Sequence, residues 1–236
     1  MKMSLHSKLS SNPNFVHMIG ACVTPPNDFW LVLEFMPGGS LFDVIHGITR
    51  NIRIQSINAV ALSVADGMTY LHNQVPQIIH RDLTPSNVLL DAAGNARIAD
   101  FGISRFKFEV GSANMTYIGN PRWRAPEVTR GEAYSASVDV YAFGLLVWEM
   151  FSGKVPFQDL EGPRASYEAA QGRRPEIPQS CPAIWAELIR SCWDPDPSKR
   201  PFFSQILQGL KMLPIVQPIG TPTLPPSTDI NMDPYS

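Results

Sequence analysis

The sequence predicts an α+β fold in which a short β segment precedes a mostly helical lobe. Two β-prone runs flank a turn near the N terminus, and a cluster of Gly and Pro closes that region. Beyond it, apolar residues recur at three- and four-residue steps over several long stretches. With 236 residues, 44 % of them hydrophobic, the chain can bury one good-sized core, so a single domain is expected.

The elements follow in order. Met18–Val23 and Phe29–Phe35 read as strands joined by the turn Thr24-Pro25-Pro26-Asn27-Asp28. Met36-Pro37-Gly38-Gly39-Ser40 breaks the pattern and leads into a short helix, Leu41–His46. Ile57, Val60, Ala61, Val64, Met68 and Leu71 mark one face of an amphipathic helix ending near His72. A hairpin, Val88–Leu90 and Arg97–Ala99, turns about Asp91-Ala92-Ala93-Gly94-Asn95. Ser137–Phe151 is apolar nearly all round, as a helix buried in the middle of a lobe should be. Ile184, Trp185, Leu188, Ile189 and Cys192 mark another helix; Phe202, Phe203, Ile206, Leu207 and Leu210 mark the last. From Pro214 onward, prolines with scattered Ser, Thr and Asn replace the periodicity, and a disordered tail is expected over 214–236. No internal repeat is visible.

Composition narrows the function classes. A net charge of −2 gives no reason to expect nucleic acid or an anionic membrane surface as partner. Cys22, Cys181 and Cys192 form neither a paired framework nor a C-x-x-C motif; they read as small apolar filling in a reducing compartment. No secretory signal opens the chain, and the longest apolar run, Val140–Trp148, is too short to span a bilayer. The expected location is cytoplasmic.

Chemistry enters with His80-Arg81-Asp82-Leu83-Thr84-Pro85-Ser86-Asn87, followed by Asp100-Phe101-Gly102 and Ala125-Pro126-Glu127. Asp82 and Asn87 share one tight loop, so one can face a substrate hydroxyl while the other faces a metal. The hairpin would return the Asp100 carboxylate to the same place. Asn87 offers a neutral oxygen and Asp100 a charged one, hard ligands suited to Mg²⁺. At a usage of ~1/20 per residue type, four fixed positions arise by chance about once in 10⁵ starts. These motifs resemble the signature set of the protein kinase superfamily.

The resemblance implies a protein-kinase-like fold over 1–213, with a truncated small β lobe and hinge in 1–36 and a helical large lobe in 37–213. It implies ATP-dependent, Mg²⁺-dependent phosphoryl transfer to hydroxyls of a protein substrate. Asp82 would be the catalytic base, with Asn87 and Asp100 as metal ligands. Matching Leu33-Glu34-Phe35-Met36 to the hinge puts Leu33 at the gatekeeper position and gives the backbone of Glu34 and Met36 to adenine. Leu89 would close the floor under the ring. Arg81 would face a phosphate on the segment Ile103–Arg122, where Ser112, Thr116 and Tyr117 are the candidate acceptors. Glu127 should pair with Arg200, and Asp139 should hold the backbone of the catalytic loop; a carboxylate beside so apolar a stretch must find donors in any case.

Several features depart from the family pattern. No G-x-G-x-x-G precedes Asp82, the only lysines before residue 100 are Lys2 and Lys8, and the first acidic residue is Asp28. Ser7–Val16 resembles the end of the helix that would carry the lysine's glutamate partner, so the chain reads as a large lobe with a remnant of the small one. Thr84 stands where a lysine would contact the γ-phosphate, Asn120 replaces the usual Thr or Ser, and Arg124 a commoner Met. Gly119–Glu127, the Asp139–Gly144 run and Cys192-Trp193 resemble the tyrosine-kinase-like group of serine/threonine kinases. Thr84-Pro85-Ser86 differs from the tyrosine-kinase pattern and favours serine/threonine specificity. The competing reading is a catalytically impaired scaffold that binds partners through the large lobe.

Overall fold

The computed structural model describes residues 12–24, 28–47, 57–99, 105–106 and 119–213. Two strands, β1 (Met18–Thr24) and β2 (Asp28–Leu33), pair antiparallel and lead through a linker into helix α1 (Leu41–Ile45). The linker approaches the later hairpin closely: Gly38 N–H donates to the Leu90 carbonyl, and Leu90 N–H to the Gly39 carbonyl. Ser40 then starts α1 with a reciprocal cap, its hydroxyl accepting from Asp43 N–H while the Asp43 carboxylate accepts from Ser40 N–H.

Helix α2 (Ile57–His72) buries the predicted stripe and packs on the hairpin of β4 (Val88–Leu90) and β5 (Ala96–Ile98). Two-residue strands β3 (Ile78–Ile79) and β6 (Arg105–Phe106) form a separate antiparallel pair. After a 3₁₀ turn at Pro121–Trp123 come α3 (Pro126–Thr129), α4 (Ser137–Ser152), α5 (Gly162–Ala170), α6 (Ala183–Cys192) and α7 (Phe203–Leu210). Helix α2 packs against α7, and α4 against α6.

The core is built around α4. Every residue from Val138 to Phe151 is buried, so the helix has no solvent face to paint polar. It stops where Gly153 takes a left-handed conformation, φ +64°, and donates its N–H back to Glu149. Close contact with α6 depends on Gly144, where a Cβ would lie 2.8 Å from the Cys192 Cβ. Burial pushes the Cys192 thiol up to about 12, which suits an inert filler of that contact.

The structure shifts some predicted bounds. Strand β2 ends at Leu33 rather than Phe35: Glu34 still donates to the His17 carbonyl, but Phe35 turns out to solvent at 86 % exposure. Strand β5 begins one residue earlier than expected. Helices α3 and α5 were not anticipated; α5 buries only the small side chains Ala165, Ser166 and Ala169, which leave a weak apolar signal. Residues 1–11, Asp100, the candidate phosphate acceptors Ser112, Thr116 and Tyr117, and the tail 214–236 lie outside the described residues.

Candidate active site

Asp139 organises the site. Its side chain is 1 % exposed on the first turn of α4, where an unpaired carboxylate would be costly. Oδ2 accepts from His80 N–H at 2.9 Å and lies 2.9 Å from His72 Nε2; Oδ1 accepts from Arg81 N–H at 2.8 Å. Burial alone would raise this carboxyl; the His72 hydrogen bond and charge, the His80 charge and the Arg81 N–H outweigh it and hold it below the ordinary carboxylate range. The same clamp keeps Arg81 at φ +70°, a left-handed conformation rare for a long side chain. The strained residue swings the chain so that Asp82 emerges at the surface of the lobe.

Asp82 is then fixed from two sides. Asn87 Nδ2 donates to Asp82 Oδ2 at 2.9 Å and to the Asp82 carbonyl at 2.8 Å. Asn120 N–H donates to Asp82 Oδ1 at 2.9 Å. Both groups facing the Asn87 nitrogen are acceptors, which settles the orientation of the amide and leaves its oxygen pointing away from Asp82. Each carboxylate oxygen of Asp82 keeps a second lone pair, so a hydroxyl can still be accepted there.

The approach of Asn120 requires Gly119. That residue sits at φ +82°, and a Cβ on it would lie 2.5 Å from the Arg81 carbonyl oxygen and 3.2 Å from Asp82 Oδ1. Only glycine combines this backbone with such a contact. The Asn120 side chain caps the following turn by accepting from Arg122 N–H, so its contribution to Asp82 is made by the backbone.

Asp100, the third predicted acid, lies outside the described residues. The chain just before it is anchored beside Asn87, because Ala99 N–H donates to the Asn87 carbonyl at 2.8 Å and His80 Nε2 lies 3.1 Å from the Ala99 carbonyl. Thr84 is buried at 3 % exposure and accepts from Asn87 N–H through its carbonyl, so it is a structural residue at the start of a 3₁₀ turn. Arg81 reaches toward the Tyr134 hydroxyl at 3.4 Å, a long contact.

Among the hinge residues, Met36 and Leu89 come together in a small apolar cluster with Val16 and Ala99. Leu33 does not join it and is 36 % exposed. Glu34 spends its N–H on the His17 carbonyl, and its carboxylate accepts from His17 N–H and from Arg97 Nη1 at 2.7 Å. The hinge is thereby tied to strand β5 by an ion pair.

Glu127 and Arg200 form a buried bidentate pair with N···O distances of 2.6 and 2.9 Å. Two further Arg200 donors, on Nε and Nη1, reach the carbonyls of Asp194 and Ser137. Sequence reasoning missed a third buried acid, Glu149, which lies 2.8 Å from His46 Nε2 and joins α4 to the end of α1. Burial pushes its carboxyl up to about 8; the neighbouring Trp123 indole opposes this only in part and falls short of a full hydrogen bond. His46 is pushed down by its own burial.

Residues 1–210 match the protein tyrosine and serine/threonine kinase family. The chain belongs to that family. A probable serine/threonine-protein kinase of Dictyostelium discoideum is 46 % identical over 225 residues, covering 88 % of this chain and 25 % of that protein. The dual specificity protein kinase pyk3 of the same organism is 43 % identical, over 86 % of this chain and 15 % of its own length. The human serine/threonine-protein kinase TNNI3K is 39 % identical, over 85 % of this chain and 24 % of its own. This kinase chain therefore spans about a quarter or less of these relatives. Within the superfamily it falls in the tyrosine-kinase-like group, and the helical lobe with few strands is the kinase fold.

Proposed function

We propose that the chain carries the large-lobe machinery of a protein kinase that transfers the γ-phosphoryl group of ATP to serine or threonine hydroxyls of a protein substrate. One observation carries this reading: the Asp82 carboxylate is held on both oxygens, by Asn87 Nδ2 and Asn120 N–H, while the Asn87 carboxamide oxygen faces away. In phosphoryl transfer the protein contributes mainly position and charge stabilisation. Asp82 would accept the hydroxyl's hydrogen bond, aim its oxygen in line with the phosphorus and take up its proton. Asn87, with Asp100, would hold Mg²⁺ through hard oxygens, and the free carboxamide oxygen fits that role. The bound ion would neutralise charge on the β- and γ-phosphates.

The adenine ring would meet the hinge through backbone groups of Glu34 and Met36, beside Leu33 and above Leu89. The Glu34 N–H is already engaged, which leaves its carbonyl and the Met36 amide for that contact. Serine/threonine specificity rests on Thr84-Pro85-Ser86 in the catalytic loop and on two of the relatives above being named serine/threonine-protein kinases. Three free thiols suit a cytoplasmic setting.

A second reading has its own observation. Thr84, buried at the position of the phosphate-contacting lysine, offers no charge to the γ-phosphate, which favours a binding scaffold over an efficient catalyst. Losing one such stabilising group typically costs ~10²–10³ in rate. The two readings part in one experiment. Melting of the chain is followed with ATP, with and without Mg²⁺, for wild type, Asp100→Asn and Asp82→Asn, alongside phosphate transfer to a serine/threonine peptide library. The kinase reading expects a Mg²⁺-dependent shift in wild type and Asp82→Asn but not in Asp100→Asn, with transfer lost in both variants. A folded wild type that shows no shift overturns it.

A further inference from the structure

Arg122 sits in the middle of the 3₁₀ turn Pro121–Trp123, just after the Asn120 N–H that holds Asp82. Its guanidinium reaches away from the site, into the loop 156–160 between α4 and α5. Nη1 donates to the carbonyl of Pro156 at 3.1 Å and to that of Phe157, and Nη2 donates to the carbonyl of Leu160. Three carbonyls of one loop thus converge on one side chain. The planar fork of arginine suits such a set of acceptors, and a lysine ammonium does not reproduce it.

The loop is shaped around this contact. Phe157 holds φ +52°, a left-handed conformation unfavourable for an aromatic residue. Its ring is 5 % exposed and clusters with Ala165 and Ala169 of α5, so the side chain is committed inward while the carbonyl meets Arg122. Asp159 of the same loop takes Arg173 as its partner at 2.8 Å. On the other side the links back to Asp82 are short. Asn120 Oδ1 accepts from Arg122 N–H, and the Asn120 carbonyl accepts from Trp123 N–H. Trp123 holds the turn by packing, since its indole N–H falls short of a full hydrogen bond. The directional side-chain bonds from this turn to another part of the lobe therefore come from Arg122.

We propose that Arg122 is a positioning residue, which couples the loop 156–160 to the Asn120 N–H and through it to the Asp82 carboxylate. The coupling itself is geometric; its effect on phosphoryl transfer rests on the reading of Asp82 given above. A misplacement of about 1 Å at a reacting group can cost on the order of 10² in rate. Asn87 still holds the other Asp82 oxygen, so the expected loss is smaller, about tenfold.

The test reads the amide exchange rate of Asn120 by NMR on the full 236-residue chain. Wild type is compared with Arg122→Met, Arg122→Lys and a control, Arg164→Met, which removes an exposed ion pair on α5. Asn120 exchange should quicken about tenfold in Arg122→Met and by less in Arg122→Lys, as loss of a hydrogen bond to a carboxylate predicts. Amides of 140–150 and the control should keep wild-type rates. In an Asp82→Ala background the acceptor is already gone, so Arg122→Met should add nothing, which a general loosening would not give. In transfer assays kcat should fall about tenfold with KM for ATP unchanged. Unchanged Asn120 exchange in Arg122→Met overturns the proposal, as does an unchanged kcat in an active chain. Quickening that extends equally through 140–150, or loss of the fold in both Arg122 variants, also overturns it and makes the residue purely structural. A wild-type chain that transfers no phosphate counts against the kinase reading, and the exchange rates then decide the coupling on their own.

Discussion

At the scale of single residues, the two acids buried in α4 respond to pH in opposite directions. Asp139 has its folded-state pKa depressed, so its stabilisation is full above the ordinary carboxylate value and is lost as pH falls through the folded one. Glu149 is raised to about 8; its contribution is full below about 4.5 and is lost as pH rises toward 8. Denaturant midpoints should therefore fall between pH 5.5 and 8.5, and Glu149→Gln should flatten that slope. A slope unchanged in the variant would place its origin elsewhere. Asp139→Ala strands the N–H groups of His80 and Arg81, each worth ~1–3 kcal/mol when buried unpaired, so a loss of about 3 kcal/mol or more is expected in urea titrations. The two acids also differ in how readable they were. Asp139 stood out as a charge at the edge of an apolar run. Glu149 gave no such signal, because its partner His46 is 103 positions away and only packing brings them together.

At the scale of elements, close approach sets the limits. Gly144→Ala should destabilise the fold by ~1–3 kcal/mol, since the new methyl meets the Cys192 Cβ rather than the end of a flexible chain. Equilibrium unfolding measures it directly, and a neutral result would mean that α6 can retreat. Gly119→Ala should break the Asn120–Asp82 hydrogen bond while leaving the Mg²⁺–ATP melting shift intact, with transfer falling at least tenfold. What could be read in advance follows the strength of each element's pattern. Helices α2, α4, α6 and α7 carry large apolar side chains at regular steps, and their bounds were legible to within a residue or so. Helix α5 buries alanines and a serine, and its place is set by contacts with α3 and the Pro121–Trp123 turn that no local pattern encodes. The Asp82–Asn87 pair was legible from spacing, whereas the backbone role of Asn120 was not: it depends on a left-handed glycine, not on the asparagine side chain.

At the scale of the whole molecule, the Glu127–Arg200 pair spans 73 residues and ties α3 to the segment entering α7. Removing one partner leaves the other charge buried, so Glu127→Ala should cost ~3–5 kcal/mol. Arg200→Lys keeps the charge but loses the fork, along with the bonds to Asp194 and Ser137, and should recover little of the loss. Thermal unfolding of the two single variants and the double variant would give the coupling between them, and additivity would contradict a direct pair. The β1–β2 hairpin behaves differently. Ile19, Trp30, Val32 and Phe35 all face solvent, an apolar surface of the kind that associates.

That hairpin carries an optical consequence. The chain has five tryptophans; Trp123, Trp148, Trp185 and Trp193 are buried, and Trp30 is 63 % exposed. Its indole should dominate the red edge of the emission band and be the one that iodide extinguishes. Whatever settles on the hairpin would shield that single fluorophore and shift the spectrum toward the blue, without any label being attached.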